Sequence, residues 1–252
     1  MRSAGCSDMR VRSVMQKCSV YETPIMKILI LSDIHANYPA LKSVLDKDGD
    51  YDLLLFLGDV IDYGPNPKEC LDFIKNNADY CVLGNHDNAM AYNTDCHSMG
   101  SFREFSIETR KWHRTLLTDD DISFLRNMPL TNKAYIEGES YFMAHASPQG
   151  DIAKYLSSDE MTKELDDIRT EYILVGHTHI QYQKEVTDSL IINPGSVGLA
   201  RDGSKACYAV YENNIFSLKK IDYDVDKTIS DLMSSPISKS CKDGLKKILL
   251  HT

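Results

Sequence analysis

Three short apolar runs give the chain its first order. Ile28-Leu29-Ile30-Leu31, Asp52-Leu53-Leu54-Leu55-Phe56-Leu57 and Tyr80-Cys81-Val82-Leu83 each end in polar residues. Continuous apolar runs of this length predict strands buried on both faces. Two segments of helical spacing lie between them. Asn37 can cap the first, with Pro39 in its opening turn and Leu41, Val44 and Leu45 on one face. Asn66-Pro67 opens the second, whose apolar residues are Leu71, Phe73 and Ile74. Strand, helix, strand, helix, strand predicts a parallel sheet with right-handed crossovers.

The pattern then changes. Residues 98–128 read as helical, with Phe102, Phe105, Ile107 and Trp112 as apolar surface and Thr118 capping a helix that has acids in its first turn. Trp112 and the phenylalanines read as core rather than as a platform for bases. Further strands are expected at 132–137, 140–145, 172–176, 189–193, 206–212 and 215–221, with Asn213-Asn214 as a tight hairpin turn. These should form a second sheet with substantial antiparallel pairing. Residues 1–25 lack periodicity and are expected to be a disordered extension, leaving 26–252 as one domain with a helical C-terminal tail around Leu245, Ile248 and Leu249.

Composition narrows the function. No run approaches the roughly 18 apolar residues of a membrane span. A net charge of −9 opposes non-specific attraction to nucleic acid or anionic membranes. A phosphate-bearing substrate would then need local positive charge, most simply a metal ion. Seven scattered cysteines with no Cys-x-x-Cys suggest reduced thiols and a cytoplasmic protein.

The chemistry lies where the apolar runs stop. In order come Asp33-x-His35, Gly58-Asp59, Gly84-Asn85-His86-Asp87, Ala144-His145 and Gly176-His177-Thr178-His179. Ligands bind at the carboxyl ends of strands in open α/β sheets. If the segment after the first strand stays extended, Asp33 and His35 point the same way. A single histidine at such a place is usually structural, but five of the eight fall here beside three aspartates and an asparagine. Imidazole with carboxylate suits Mn, Fe, Co, Ni or Zn. Seven candidate ligands are too many for one tetrahedral site but suit two divalent ions sharing a carboxylate. Two ions roughly 3.5–4 Å apart can hold a hydroxide and clamp a phosphate for in-line displacement.

These five ordered motifs, with Asp62 completing Gly58-Asp59-x-x-Asp62, resemble the calcineurin-like metallophosphoesterase superfamily. Tyr63-Gly64-Pro65-Asn66-Pro67 and Asn193-Pro194-Gly195-Ser196-Val197-Gly198 resemble its small bacterial and archaeal phosphodiesterase branch. The resemblance implies a four-layer α/β/β/α sandwich of two facing mixed sheets flanked by helices. It implies one metal on Asp33, His35, Asp59 and His179 and a second on Asp59, Asn85, His145 and His177, with manganese favoured. His86 would face the scissile phosphate and protonate the leaving oxygen, while Asp62 and Asp87 would lie behind the ligands, Asp87 orienting His86.

Departures from the superfamily pattern bear on substrate. Its Ser/Thr protein phosphatases carry Arg where this chain has Tyr63 and Glu where it has Asp87. Without that bidentate phosphate clamp, a small phosphodiester is the expected substrate. A phosphomonoesterase or protein-phosphatase-like enzyme is the alternative, and a non-catalytic scaffold like the retromer subunit of this fold is a third reading, opposed by the full ligand set. Asn85, His86 and Arg201 are the candidate substrate contacts, although Arg201 could instead pair with Asp202. The stretch 93–97 could overhang the site; Cys96 and His97 read as part of a solvated loop rather than as ligands.

Overall fold

The computed structural model describes residues 26–165 and 168–250; the expected N-terminal extension, 1–25, lies outside them. The first apolar run forms β1 (Ile28–Leu31), followed by α1 (Tyr38–Asp48), β2 (Leu53–Phe56), α2 (Pro67–Asn77) and β3 (Tyr80–Cys81). The three strands pair in parallel, β2 between β1 and β3. Asn37 caps α1 by accepting the Ala40 N–H at 3.2 Å. Next comes α3 (Asn85–Tyr92), which the sequence does not announce because it lacks an apolar stripe; the Asp87 carboxylate accepts the Gly84 N–H at its start, at 3.4 Å. Then follow α4 (Ser101–His113) and α5 (Asp119–Asn127), the latter capped by Thr118.

The second half departs from the expected arrangement in two ways. Its second sheet has the order β4-β5-β6-β8-β7, built from β4 (Thr131–Ile136), β5 (Glu139–Ala144), β6 (Tyr172–Leu174), β7 (Tyr182–Val186) and β8 (Ser189–Asn193). Strand β7 was not expected; it is a half-exposed edge strand, and its polar Gln183-Lys184-Glu185 centre hides it. Strands β9 (Ala206–Glu212) and β10 (Ile215–Ile221) do not join that sheet. They return to the first, giving β10-β9-β1-β2-β3. The reason is burial: six of the seven β9 residues are buried, so this strand needs partners on both edges and finds β1 and β10. The hairpin turn sits at Asn213-Asn214, both left-handed (φ 54° and 61°).

Strand alternation sorts the core into layers. Ile28, Ile30 and Leu55 face Tyr141, Met143, Leu174 and Ile192 between the sheets. Leu29, Leu31, Leu54 and Phe56 face α1 and α2. Beyond the second sheet, Phe142, Ile173 and Ile191 are covered by Leu156, Met161 and Leu165, carried by the short α6 (Ser158–Met161) and neighbouring chain. This is the four-layer sandwich, with a thin fourth layer.

The tail forms α7 (Val225–Ser234), which packs on α1, and α8 (Lys239–Leu250), which packs on α4 and α7. Phe102, Phe105 and Trp112 face Leu232, Leu245 and Leu249, but Ile107 does not join them and is 49 % exposed. Two positions after Phe105 in a helix, it lies on the opposite face. Gly244 is where α8 crosses α4, since a Cβ there would meet the Phe105 ring at 2.2 Å.

Asp48, at the end of α1, ties this layer to the sheet. Its carboxylate accepts from Tyr208 Oη at 2.7 Å and pairs with Lys219 at 3.0 Å and Lys27 at 3.1 Å. Burial raises its pKa, but these partners win and hold it at about 2. A carboxyl whose folded pKa is depressed contributes stability that is full above its unfolded value, near 4, and is lost as pH falls through the folded one. Asp48→Asn should therefore cost about 1.5–3 kcal/mol at pH 7. Urea titrations at several pH values check this: the gap between the proteins should hold down to about pH 4 and narrow towards pH 2. A pH-independent gap would remove the charge from the explanation.

Candidate metal centre

All seven candidate ligands lie at carboxyl ends of strands and all are at least 95 % buried. Asp33 and His35 follow β1, and Asp59 follows β2. Asn85 opens α3 after β3, His145 follows β5, and His177 and His179 follow β6. They form two adjoining clusters. In one, His179 Nε2 is 3.2 Å from Asp33 Oδ1 and 3.1 Å from His35 Nε2. In the other, His145 Nε2 lies 3.2 Å from Asp59 Oδ2, 3.0 Å from Asn85 Oδ1 and 3.2 Å from His177 Nδ1. Asp59 Oδ2 joins the two, being also 3.9 Å from His35 Nε2.

The chain does not run extended here, contrary to the simple alternation read for Asp33-x-His35. Asp33, His35, Asp59, His177 and His179 all have left-handed backbones, with φ of 53°, 47°, 61°, 65° and 60°. Convergence comes from coiling, not from a shared strand face. Each such residue costs about 1–2 kcal/mol, so the surrounding hydrogen bonds must over-determine the loops. Asp87 does this for Asp59, its carboxylate accepting the amide N–H of Asp59 at 2.7 Å and of Val60 at 3.0 Å. Gly84 leaves the carboxylate room, since a Cβ would stand 2.0 Å from Asp59 Oδ1.

The donor atoms fit a pair of cations. His35, His145 and His179 each donate Nδ1–H to a backbone carbonyl, of Ile61, Leu57 and Leu199 respectively, at 2.7–3.0 Å. Those bonds fix the tautomer and turn an Nε2 lone pair inward. Two such lone pairs, on His35 and His179, then face each other at 3.1 Å. The Asn85 side chain donates Nδ2–H to the Cys96 carbonyl at 2.6 Å and aims its oxygen at His145 and His177. Asp33 Oδ1 is buried with no hydrogen-bond partner. Acceptors crowded upon acceptors in a dry site call for positive charge between them.

Burial and neighbouring charge pull the ionisable groups of the site in different directions. Burial alone would raise the carboxyls, yet His179 holds Asp33 low and His145 with His86 holds Asp59 well below the usual range. Burial and the neighbouring imidazoles bring His35 and His177 down to about 3. Burial opposes a charge on His145 as well, but Asp59 outweighs it and lifts the ring to about 9.

His86 stands beside the clusters without joining either. Its Nδ1 is 2.8 Å from Asp62 Oδ2, and its Nε2 faces Ser98 Oγ at 3.2 Å and Tyr63 Oη at 3.3 Å. The orienting acid is thus Asp62 and not Asp87, which is committed to backbone amides. The spacing in Gly58-Asp59-x-x-Asp62 was the available signal. Nothing in the sequence points to Ser98, or to Arg110, whose Nε is 3.5 Å from Asp62. His113 is structural: its Nδ1 accepts the Asp62 N–H at 3.2 Å, its Nε2 donates to the Gly64 carbonyl at 2.9 Å, and burial keeps it neutral, with a pKa of about 4.

The stretch 93–97 lies against α3 and α4 rather than over the site. Cys96 is buried against Ser106, and His97 is exposed. Arg201 does not pair with Asp202, which Lys220 takes at 2.6 Å. Instead its guanidinium lies 5.4 Å from the Tyr155 ring and 5.5 Å from the Phe102 ring, at the rim of the centre. Phe102 therefore both packs on the tail and borders the site.

The profile of the calcineurin-like phosphoesterase superfamily domain matches residues 26–214. An uncharacterized protein of Methanocaldococcus jannaschii is 29 % identical over 231 residues, covering 82 % of this chain and 92 % of its own. Phosphodiesterase YfcE of Escherichia coli is 24 % identical over 204 residues, 77 % of this chain and 91 % of its own. The crystal structure of a metallophosphoesterase from Sphaerobacter thermophilus superposes with a TM-score of 0.75 at 27 % identity, over 87 % of this chain and 98 % of that one.

The position of Asp59 between the clusters can be tested by metal content. Asp59→Asn keeps the Oδ1 acceptor for the His86 N–H, at 2.9 Å, but removes the shared charge. Elemental analysis after mild dialysis should find both ions lost from the variant. Two full equivalents retained would exclude a shared role for Asp59.

Proposed function

The chain belongs to the calcineurin-like phosphoesterase superfamily, and from that premise we propose that it is a metal-dependent phosphodiesterase acting on a small phosphodiester. Asp33, His35, Asp59 and His179 would hold one divalent ion, and Asp59, Asn85, His145 and His177 the other. The observation that carries this reading is the pair of acceptor-rich clusters joined by Asp59 with the His86–Asp62 pair beside them. When bound, the ions supply water activation and charge neutralisation at the phosphoryl oxygens. Manganese is the ion assigned first, since carboxylate and amide oxygens favour it while imidazole admits Fe, Co, Ni and Zn. Five unpaired cysteines among the described residues fit a cytoplasmic setting. No helix among those residues is long and apolar enough to cross a membrane.

The chain's own contribution to the chemistry centres on His86. Asp62 accepts a hydrogen bond from its Nδ1–H and leaves Nε2 to work on the substrate side. Burial opposes a charge on the ring, but the Tyr63 hydroxyl, the Asp59 charge and the Asp62 hydrogen bond raise its pKa well above the ordinary value. A protonated Nε2 can bind the phosphoryl group and then give its proton to the departing oxygen. Tyr63 and Ser98, both within 3.3 Å of Nε2, restrict where that proton points. Tyr63 is 4 % exposed and neutral, and burial raises its pKa still further. It brings a hydroxyl where a guanidinium would favour the dianion of a monoester, which supports the diester reading.

A metal-dependent activity panel of an aryl phosphodiester, the matching monoester, cyclic nucleotides and phosphopeptides tests the class. A diester preference is expected, and a monoester preference would overturn it. For the proton donor, His86→Asn should retain its metal. It should lower kcat by about 10²–10⁴-fold for alkoxide-like leaving groups and far less for nitrophenolate, which departs without a proton. An equal loss for both leaving groups, or a change in KM alone, would exclude His86 as the acid.

A further inference from the structure

Next to the ligand clusters the molecule opens into a cleft of about 840 Å³, lined among others by Met99, Phe102, Tyr155, Arg201, Lys247 and Ile248. Its lining carries two cations and no carboxylate, in a chain where acids outnumber bases 37 to 28. Among the described residues neither Arg201 nor Lys247 has a carboxylate within ion-pair distance, and the adjacent Asp202 is taken by Lys220. Arg201 is held instead by aromatic faces and by donating a hydrogen bond to Tyr155 Oη at 3.3 Å. Stacking fixes a guanidinium without neutralising it, so its other N–H donors remain free for an anion.

The same rings run into the metal centre. Tyr155 lies 4.1 Å from the His177 ring; Phe102 lies 5.8 Å from Tyr63, itself 4.9 Å from both His35 and His86. Arg201 thus bridges two aromatic rows that start on opposite sides of the centre, and whatever extends from a phosphate bound there meets it next. The facing wall, Lys247 and Ile248 of α8, lies beyond the residues matched by the superfamily profile. It is anchored by buried Leu245 and Leu249 and by the Gly244–Phe105 crossing.

We propose that this cleft receives the non-scissile part of the substrate, with a second phosphate between Arg201 and Lys247 and an aromatic base against Phe102, Met99 and Ile248. The substrate class is then a nucleotide carrying a phosphate beyond the scissile one. The inference rests on the phosphodiesterase reading above and uses the same hydrolysis. Water's oxygen bonds to phosphorus and the P–O bond to the departing phosphate breaks. One proton of the water is released, and the proton given to the leaving oxygen comes from His86.

The test compares kcat/KM of the metal-loaded full chain on three substrates. Bis(p-nitrophenyl) phosphate has neither base nor second phosphate, thymidine 5′-monophosphate p-nitrophenyl ester has a base only, and diadenosine tetraphosphate has both. Wild type should prefer diadenosine tetraphosphate by about tenfold or more. Arg201→Gln and Lys247→Gln should each remove most of that preference, chiefly through KM, as should an ionic strength of roughly 0.3 M. Lys247 is exposed on a helix, so its substitution remains informative if the Arg201 variant fails to fold. Equal losses on all three substrates, or no preference in wild type, would overturn the subsite. A preference already complete with the thymidine ester would overturn the phosphate contact. Activity on the aryl diester alone sinks only this inference; inactivity on all three with every divalent metal sinks the phosphodiesterase reading with it.

Discussion

The Asp59 carboxylate is the constraint around which the rest of the molecule is arranged. It is 1 % exposed, close to four imidazoles, and placed so that one oxygen faces both ligand clusters. A carboxylate in so dry a place needs compensation. Its other oxygen takes the His86 amide, and its backbone amide is held by Asp87. Asp87 carries part of the cost: burial and the Asp59 charge raise its own pKa to about 7. Asp59 and the four other left-handed candidate ligands add strain of about 1–2 kcal/mol each, together comparable to the whole stability of an ordinary domain. Such a site persists because the strands ending in it are fully buried and hold the loops from behind.

That division explains what could be read from the chain. The apolar runs and the polar residues closing them reveal themselves locally, so the parallel strands, α1, α2 and the seven candidate ligands were legible. Features decided by distant partners were not. Strand β9 chooses β1 over the second sheet because of burial on both edges, which no local pattern encodes. Strand β7 lies on an edge and its polar centre reads as loop. Helix α3 has no apolar stripe, since its first turn serves the metal centre and not the core. Asp33 and His35 do converge, but through left-handed coiling at both residues and not through a shared strand face. Asp62 rather than Asp87 turns to His86 because Asp87 is already spent on three backbone amides.

The candidate ligands and the residues around His86 come from different parts of the fold. Ligands hang from the strand ends of both sheets, so their spacing is set by sheet pairing. His86 and its partners face the helices: Arg110 of α4 approaches Asp62, His113 of α4 accepts the Asp62 amide, and Tyr63 accepts a place in the cluster of Leu232, Leu245 and Leu249 from the tail. Tyr63 therefore touches His86 with its hydroxyl and the tail cluster with its ring. A shift of α8 against α4 would reach His86 through that side chain, and it would reach the cleft through Phe102.

This coupling has a consequence for how the site can vary. Moving a strand end would displace several ligands at once, because each loop is pinned to its neighbours by bonds such as Ser196 Oγ to the Asp33 carbonyl at 2.7 Å and Asn193 Nδ2 to the Gly176 carbonyl at 2.7 Å. Changing a residue on the outer face of α8 displaces none of them. The ligand loops are thus held by bonds within the sandwich, while the wall facing Arg201 belongs to a helix outside it. A helix outside the sandwich can vary where it borders loops that the sandwich fixes, and in this molecule Lys247 stands exposed on such a helix while Ile248 is tied to the tail cluster.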